Sequence, residues 1–263
     1  MLRPRISPCL LVKNNGLVKT QNFASPKYVG DPINAVRIFN EKEVDEIIVL
    51  DIDATALGRE PDYVLIKNVA AECRMPLCYG GGVKSVEQFA RIIELGVEKV
   101  AVSSAAVADP SLVSSAAKMV GSQSVVAIMD VKRSGKGGKY ELWTHNASRA
   151  THLDPVEFAK RMQDLGAGEI VVNSIDCDGV MKGYDLDLAT QVRNAIGLPL
   201  TILGGAGSLA DIQGLIQRFG IIGASAGSLF VFKGVYRAVL INYPSRTEKM
   251  QMIETARGAA QGL

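Results

Sequence analysis

Two stretches of the sequence share a Val-Lys pair and differ at the position just before it. Aligning residues 12–13 with residues 131–132 sets Leu11 opposite Asp130. A carboxylate at the end of a buried strand can serve as a general acid or base, whereas leucine has no proton to exchange. We therefore expect Asp130 to be a catalytic residue. The alternative is a carboxylate that orients its loop by pairing with one of the basic residues at 132–133.

Small residues follow four other apolar runs of the chain. Glycines occupy 80–82 and dominate 204–207, while "SSAAV" at 103–107 and "ASAGS" at 224–228 are rich in serine and alanine. Glycine lets backbone N–H groups approach an anion closely, and a helix that starts beside them adds the positive end of its dipole. Two such pockets predict a ligand with two phosphates, or with one phosphate and a mimic. The alternative is that the glycines only permit tight turns.

Eight short runs rich in Val and Ile are the candidate strands that position these residues. They are "ISPCLLV", "EIIVLDI", "MPLCYG", "VEKVAVS", "VVAIMDV", "EIVVNSI", "LPLTILG" and "GIIGASA". Stretches of helical period separate them, such as 31–43, which opens with Asp-Pro, and 85–95, which opens with Ser-Val-Glu-Gln. Apolar runs alternating with helices predict an α/β fold, and eight units favour a (β/α)8 TIM barrel. Periodicity alone leaves a doubly wound open sheet as the alternative.

The two halves of the sequence resemble each other. Residues 75–85 align without gaps on 198–208, and residues 45–53 align on 168–176 at the same offset of 123 residues. Self-similarity at a fixed spacing indicates duplication of a structural unit. We therefore predict a two-fold internal half-barrel repeat, with the active site at the carboxyl ends of the strands.

Composition limits the classes of ligand and location. The 263 residues include 29 basic and 27 acidic side chains, a net charge of +2, which gives no sign of a nucleic-acid-binding surface. Four cysteines without a CxxC pair and two histidines are too few for a usual metal site, and "DCDG" at 176–179 is only a fragment of a calcium loop. We expect no metal, no cofactor, no nucleic-acid partner, no membrane span and a cytoplasmic location.

Two segments fall outside the eight-unit pattern. The stretch 132–143 is expected to form a loop that closes over an anionic ligand, or simply a solvated loop. Residues 245–263 have apolar side chains at helical spacing from Met250 to Ala256. We predict a barrel domain over 1–244 and a tail over 245–263 that is helical and frays at its end.

Several motifs together resemble the cyclase subunit of imidazole glycerol phosphate synthase, a duplicated (β/α)8 barrel that receives ammonia from a separate glutaminase. The motifs are "GDP" at 30–32, "YGGGVKS", "SSAAV", "GAGEIVVNSIDCDG", "GYDLDL" and "LGGAG", and the likeness runs from Arg3 to about Phe232. The resemblance implies a lyase- or cyclase-type enzyme that binds a phosphorylated small molecule and forms a heterodimer with the glutaminase.

The same resemblance assigns residues at the barrel mouth. It matches one of two catalytic aspartates to Asp130 and the other to Leu11, so one acid–base partner is missing. The family's usual Asn, Thr and Ser are replaced here by Ser103, Asn173 and Leu203. The residues implied to bind the phosphates and the rest of the substrate are Gly81, Gly82, Ser103, Ser104, Asn173, Gly204, Gly205, Gly227 and Ser228.

At the opposite end of the barrel, the resemblance implies an ammonia gate. The family's ring of charged residues corresponds to Arg5, Glu46, Lys99 and Glu169, all of which are present. Ammonia would enter through this ring from a glutaminase bound to the N-terminal face of the barrel. The alternative is an ordinary charge cluster that closes the floor, since buried charges persist only when paired.

The residues at the barrel mouth differ from the family's, whereas those of the ammonia gate do not. This difference predicts that ammonia is still the nitrogen source, while the molecule that accepts the nitrogen has changed. Leu11 and the stretch from Gly16 to Glu46 resemble family members associated with acetamidino modification of surface-polysaccharide sugars, as in lipopolysaccharide O-antigen. Our first hypothesis is a synthase subunit that adds ammonia to a phosphorylated intermediate. The alternatives are a true imidazole glycerol phosphate synthase cyclase of histidine biosynthesis, and a non-catalytic scaffold that activates the glutaminase.

Overall fold

The Val- and Ile-rich runs form the eight parallel strands of a closed barrel, in a computed structural model that describes residues 3–134 and 138–261. Its strands are β1 (Arg5–Lys13), β2 (Gly16–Gln21), β3 (Ala24–Gly30), β4 (Ile47–Asp51), β5 (Leu77–Gly80), β6 (Lys99–Val102), β7 (Val125–Ser134), β8 (Lys139–Thr144), β9 (Arg149–Ala150), β10 (Glu169–Ser174), β11 (Leu200–Leu203), β12 (Gly223–Ala226), β13 (Phe232–Lys233) and β14 (Ala238–Val239). The barrel order is β1, β4, β5, β6, β7, β10, β11, β12. Parallel pairing of β12 with β1 and of β7 with β10 closes it, which confirms the (β/α)8 barrel and excludes the open sheet.

The α-helices are α1 (Pro32–Glu41), α2 (Tyr63–Glu72), α3 (Val86–Glu94), α4 (Ser104–Ala108), α5 (Ser111–Val120), α6 (Pro155–Asp164), α7 (Leu186–Ala195), α8 (Leu209–Phe219), α9 (Ser228–Val231) and α10 (Arg246–Gln261). Helices α1 to α8 lie between successive barrel strands, and α9 and α10 follow the last barrel strand. Their apolar faces and the outward-facing strand residues form the larger hydrophobic core. Among the described residues, no helix is both long enough and apolar enough to cross a membrane.

Helix starts follow the capping residues in the sequence. The Asp31 side chain accepts the N–H of Asn34, with proline at the first helical position of α1. Ser85 begins α3 with a capping box, and Ser208 begins α8 in the same way at the repeat offset. The duplication is therefore visible in the hydrogen bonds that start equivalent helices of the two halves.

An antiparallel hairpin extends from the first barrel strand of each half. In the first half, β1 turns at Asn14 and Asn15 into β2, which pairs with β3. Both asparagines have positive φ (47° and 61°), a conformation that asparagine tolerates better than most residues. In the second half, β7 pairs with β8 and β8 with β9. The expectation of a loop over 132–143 is therefore wrong for its described residues, which lie mostly in β7 and β8; residues 135–137 are outside the described residues.

Alternate residues of the barrel strands point inwards and fill the barrel interior. A second apolar cluster, separate from the outer core, consists of Cys9, Ile48, Cys78, Ala101, Val126, Ile128, Val171 and Leu203. Charged residues lie at the amino ends of the same strands, below this cluster. The interior therefore has three levels: a charged floor, an apolar middle and a mixed mouth.

The tail helix is tied to the floor of the barrel. The Lys249 ammonium pairs with Asp45 at 2.6 Å, and both side chains are buried. The other oxygen of Asp45 accepts the N–H of Ile6, and the Tyr243 hydroxyl donates to the Ile6 carbonyl at 2.8 Å. Met252 is among the buried residues of α10. The tail is thus packed on the barrel, while the division into domains at 244–245 stays a prediction.

Candidate active site

A single cavity at the carboxyl ends of the barrel strands brings together the mouth residues indicated by the sequence. Its volume is about 200 Å³. It is lined by every predicted mouth residue: Leu11, Gly81, Gly82, Ser103, Ser104, Asp130, Asn173, Gly204, Gly205, Gly227 and Ser228. Residues that are scattered over more than two hundred positions of the sequence therefore share one site.

Asp130 lines this cavity from β7, four residues before that strand ends at Ser134. One carboxylate oxygen accepts a hydrogen bond from the Asn173 amide at 3.1 Å, and the other accepts one from the Ser103 hydroxyl at 3.4 Å. Burial raises the pKa of Asp130 to about 6, against the lowering effect of these two bonds. A carboxyl group with this pKa can both accept and release a proton near neutral pH.

The basic residues next to Asp130 do not pair with it. The Lys132 ammonium lies 5.0 Å from the centroid of the Trp143 ring, and Arg133 forms its ion pairs with Asp185 and Asp187. Among the described residues, Asp130 has no salt-bridge partner. Its charge is therefore not neutralised within the site, in contrast to the loop-orienting role considered as the alternative.

Leu11 lies on the far side of the mouth, because β1 and β7 are four strands apart in an eight-stranded barrel. It packs with Leu50 against the apolar interior cluster, and these two residues are direct neighbours in the β1–β4 register. Leu203 lies beside Asn173 in the β10–β11 register. The mouth wall is therefore apolar at Leu11, the position to which the resemblance assigns a second catalytic carboxylate.

Other carboxylates at the mouth already have partners. Asp51 accepts the backbone N–H groups of Asp53 and Ala54, and Asp178 accepts the Thr20 hydroxyl at 2.7 Å. Burial raises the pKa of both Asp51 and Asp178. Neither carboxylate replaces the one that the resemblance places at position 11, because both hold loops.

Close backbone packing requires glycine at two positions of the glycine loops. Gly81 and Gly205 have φ of 121° and 113°, and an added Cβ would collide with the carbonyl oxygens of Asp51 and Gly183. Tight turns are therefore part of the reason for these glycines. The same loops face the cavity with peptide groups rather than side chains, as an anion site needs. The helices after β6 and β12 have only five and four residues, so the expected dipole contribution there is small.

Lys19 is a mouth residue that the sequence analysis missed. It lies in β2, lines the cavity and is only 5% exposed. Its ammonium donates to the carbonyl of Cys9 at 2.5 Å and lies where a Cβ on Gly227 would be. Burial lowers the pKa of Lys19, with partial compensation from Cys9 and Asp178. A buried lysine beside Gly227 is a cation available to an anionic ligand.

The β2–β3 hairpin is held down on the loop that follows β10. In addition to the bond from Thr20, the Asp178 carboxylate accepts the N–H of Phe23 at 3.2 Å. The Asn22 side chain donates to the carbonyls of Ile175 and Asp176. Phe23 also lines the cavity. These contacts hold the hairpin over the second glycine loop and keep Lys19 within the mouth.

A second hairpin covers the opposite part of the mouth. The turn between β8 and β9 brings His145 and Asn146 to the cavity wall. The N–H of His145 donates to the Ser104 hydroxyl, and the Asn146 amide donates to the carbonyl of Ile52. In the sequence, His145 stands out only as one of two histidines, which are too few for a usual metal site.

Four charges form a closed ring at the floor of the barrel, defined here as the floor ring of Arg5, Glu46, Lys99 and Glu169. Arg5 donates to Glu46 at 2.8 Å and to Glu169 at 2.6 Å, and Lys99 donates to the same two carboxylates at 2.6 and 2.8 Å. Each cation thus bridges both anions. The four bonds close the ring at the floor of the barrel.

Burial and mutual repulsion act differently on the two floor carboxylates. Burial and the neighbouring Glu169 charge raise the pKa of Glu46. Burial also opposes ionisation of Glu169, but Lys99, Arg5 and the Thr201 hydroxyl lower the pKa of Glu169 overall. Glu46 is therefore the carboxylate that takes up a proton first as pH falls.

This arrangement can be compared with known proteins. Residues 5–237 match the profile of the family described as histidine biosynthesis protein. The chain belongs to the histidine biosynthesis protein family.

Relatives in this family match over nearly their whole length. A Vibrio vulnificus protein provisionally named as an imidazole glycerol phosphate synthase subunit is 56% identical over 97% of this chain and 98% of its own. A Leptospira interrogans protein with a similar provisional name is 55% identical over 95% and 98%. The imidazole glycerol phosphate synthase subunit HisF of Petrotoga mobilis is 40% identical over 90% and 94%. The chain is thus similar to HisF subunits of this family, most strongly to those named provisionally.

Metal ligands are not grouped in the described residues. Within residues 3–134 and 138–261, no three His, Cys, Asp or Glu side chains lie together in an arrangement that could hold a metal ion. Asp176, in the stretch that resembles a fragment of a calcium loop, accepts the N–H of Arg133. Its neighbour Asp178 bonds to Thr20, so the two carboxylates hold different loops.

Proposed function

We propose that this member of the histidine biosynthesis protein family is the ammonia-using synthase subunit of a glutamine amidotransferase complex. The observation that carries the proposal is a combination of two features in one barrel. The mouth has one acid–base carboxylate, Asp130, facing Leu11, whereas the floor ring has all four of its charges in place. This combination supports an unchanged nitrogen source with a changed acceptor.

The glutaminase would bind the N-terminal face of the barrel, next to the floor ring. A small neutral molecule such as ammonia can cross an apolar interior without the desolvation cost that an ammonium ion has. Such an interior separates the floor ring from the mouth cavity, and Cys9, Ala101 and Ile128 belong both to that interior and to the cavity lining. Partner binding would have to open the floor ring, which makes ammonia entry dependent on complex formation.

At the mouth, the glycine loops and Lys19 would hold the phosphorylated acceptor. The ammonia nitrogen would form a bond to an electrophilic carbon of that acceptor, and the surplus proton would pass to the Asp130 carboxylate. Asp130 would return this proton to the oxygen that leaves the same carbon. A pKa of about 6 suits both transfers near neutral pH. Ring closure of the family's usual kind would require a second proton-transfer group, and leucine at position 11 supplies none.

The acceptor would belong to the acetamidino modification of surface-polysaccharide sugars. What supports this finer proposal is the resemblance at Leu11 and in the stretch from Gly16 to Glu46. The competing function, the cyclase of histidine biosynthesis, is favoured by the name of the 40%-identical Petrotoga mobilis relative.

Complementation of a cyclase-deficient histidine auxotroph separates these two functions. We expect the wild-type chain not to support growth without histidine, because Asp130 lacks its carboxylate partner. Robust growth would contradict the proposal and establish the cyclase function. Leu11→Asp is the companion variant, and co-purification of the glutaminase is the control that each chain is folded and assembled.

A third possibility, a scaffold that only activates the glutaminase, is tested with Asp130→Asn. We expect this variant to bind the glutaminase normally and to lose incorporation of ¹⁵N from amide-labelled glutamine into phosphorylated products of cell extracts. The loss should be about 100-fold or more, as for removal of a general acid–base group. Unchanged incorporation with an intact complex would favour the scaffold.

A further inference from the structure

We propose that the turn at residues 145–148, called the roof turn, covers the anion pocket at Gly81, Gly82 and Ser104, and that His145 contacts the anion bound there. The inference rests on the proposed phosphate-binding role of this pocket and adds a residue to it. Neither the motif resemblance nor the glycine pattern assigns a role to His145.

The position of the roof turn follows from two hydrogen bonds to different barrel strands. The N–H of His145 donates to Ser104 at 3.3 Å, directly after β6, and the Asn146 amide donates to the carbonyl of Ile52 at 2.6 Å, directly after β4. In the barrel, β5 lies between β4 and β6 and ends in the glycine loop at 80–82. The roof turn therefore bridges over this loop, and both His145 and Asn146 line the cavity.

The Ser104 hydroxyl links the roof turn to the proposed anion. Its oxygen accepts the N–H of His145, and among the described residues its own O–H has no acceptor. A hydroxyl that accepts one hydrogen bond can donate another. The free O–H is thus available to an oxygen of a phosphate at Gly81 and Gly82.

Among the residues that the structure describes, only one nitrogen of the His145 ring has a hydrogen-bond partner. Its Nδ1 lies 3.1 Å from the hydroxyl oxygen of Thr144, whose side chain is buried. If the hydroxyl donates, the ring carries its proton on Nε2, and this N–H can donate to an anion. Burial and the nearby Arg149 charge lower the pKa of His145, so the imidazole is neutral at neutral pH. A neutral N–H donor avoids placing another cation near Arg149.

The backbone of the roof turn is strained in a way that holds the ring over the pocket. His145, Asn146 and Ala147 have φ of 53°, 55° and 58°, three successive non-glycine residues in the left-handed region. This conformation is unfavourable for residues with a Cβ and persists only where the surroundings hold it. The bonds to Ser104 and Ile52 do so here.

NMR of the imidazole rings tests the proposal directly. The sequence contains only two histidines, and the His152 side chain is 87% exposed and pairs with Glu141 outside the cavity. In ¹⁵N-labelled full-length protein at constant pH and ionic strength, long-range ¹H–¹⁵N spectra report the tautomer of each ring. We expect the Nε2–H form for His145, and saturable shifts of its signals when inorganic phosphate is added. The His152 signals should stay nearly still.

Matched variants accompany the titration. His145→Asn assigns the signals and removes the imidazole, and asparagine tolerates a left-handed backbone. His152→Asn is the control, because His152 also has positive φ, 59°. We expect His145→Asn to weaken phosphate binding at this pocket about tenfold, the effect of losing one hydrogen bond to a charged group, and His152→Asn to leave it unchanged.

The possible outcomes separate this inference from the proposed function. If calorimetry detects phosphate binding while the His145 signals do not move, the inference is wrong and the anion is bound elsewhere. If no saturable binding occurs, both the proposed phosphate pocket and the proposed role of the roof turn are wrong. Transfer of nitrogen from glutamine is measured independently and can succeed or fail in either case.

Discussion

At the scale of single residues, Asp130 is placed where its charged form is costly. Within the part of the chain that the structure describes, its carboxylate has two neutral hydrogen-bond donors and no cation, and burial raises its pKa from 3.8 to about 6. The folded protein therefore holds a proton on Asp130 more tightly than the unfolded chain does. This reactivity is maintained at the expense of stability, as is common in active sites.

Replacing Asp130 by Asn should stabilise the protein in a pH-dependent way. Because the folded-state pKa is raised, the stability of the wild type falls as pH rises from about 4 to about 6, and the Asn variant lacks this loss. Above that window, we expect the variant to be more stable by roughly 2 kcal/mol, allowing for partial solvation of the mouth.

Urea denaturation at pH values below and above this window measures the difference. The two proteins should have nearly equal free energies of unfolding near pH 4, which is the internal control. A difference that stays constant between acidic and neutral pH would show that Asp130 does not titrate as inferred.

The sequence allowed the mouth to be predicted only for residues in the carboxyl-terminal parts of the barrel strands or directly after them. Asp130 and the glycine loops could be found because duplicated strand ends converge on one face of a barrel. Lys19 and His145 could not, because both lie in hairpins that fold back over the mouth. The lysine in "GLVKTQ" gives no sign in the sequence that its ammonium is buried, which only the contact with Cys9 shows.

The strain in the roof turn leads to a prediction at residue scale. Ala147 has φ of 58° and makes no use of its side chain in the hydrogen bonds of the turn. Ala147→Gly should raise the free energy of unfolding by about 1 kcal/mol, because glycine adopts this conformation without steric cost. Thermal unfolding checks this, with Ala150→Gly in β9 as a control that should not stabilise.

At the scale of elements, the β2–β3 hairpin depends on contacts at its far side. Five successive residues of β3, from Ala24 to Tyr28, are exposed, so this strand has little packing of its own. The bonds from Thr20 and Phe23 to Asp178, together with those from the Asn22 side chain, join the hairpin to the β10 loop. The hairpin is therefore the part of the mouth that should open most easily.

Thr20→Val should loosen this hairpin without disturbing the barrel. Loss of the hydroxyl leaves Asp178 with one fewer donor, and we expect amide hydrogen exchange in β2 and β3 to become faster by about tenfold. Exchange in β10 and β11 should not change. The control is Thr190→Val in α7, whose hydroxyl bonds only within its own helix; equal effects of both variants would contradict the assignment.

Element prediction was accurate for the repeated barrel units and for the tail helix, and poor for the two hairpins. The eight barrel strands come from apolar runs that form two equivalent sets of four, one in each half of the sequence. By contrast, β3 contains Pro26 and is mostly exposed, and β8 follows a stretch rich in Gly and Lys, so neither has a strong strand pattern. Tertiary pairing of β8 with β7, in which Trp143 lies opposite Asp130, makes the strand.

At the scale of the whole molecule, the floor ring joins four strands through one set of charges. Removing one charge leaves the rest unbalanced. In Lys99→Met, two buried carboxylates remain against Arg5 alone, and we expect a loss of about 3 kcal/mol or more in the free energy of unfolding. In the double variant Lys99→Met with Glu46→Gln, Arg5 and Glu169 stay paired, and most of the loss should be recovered.

Urea denaturation of the three proteins at neutral pH measures this recovery. A double variant as unstable as the single one would mean that the ring acts through shape rather than charge. Glutaminase assays of the complexes give a second readout, because a permanently open floor should alter how the barrel controls ammonia entry even where stability is restored.

The closing seam of the barrel has a consequence for biosynthesis. Strand β1 pairs with β12, and the Ser225 hydroxyl bonds to the carbonyl of Ser7 across 218 positions of sequence. During translation, β1 leaves the ribosome long before its second neighbour exists, and at cellular speeds it waits about ten seconds or more. Until then the nascent chain has an unpaired strand edge that other chains can bind. Synthesis of the last fifth of the chain, which contains β12, therefore determines whether the nascent protein avoids aggregation in the cell.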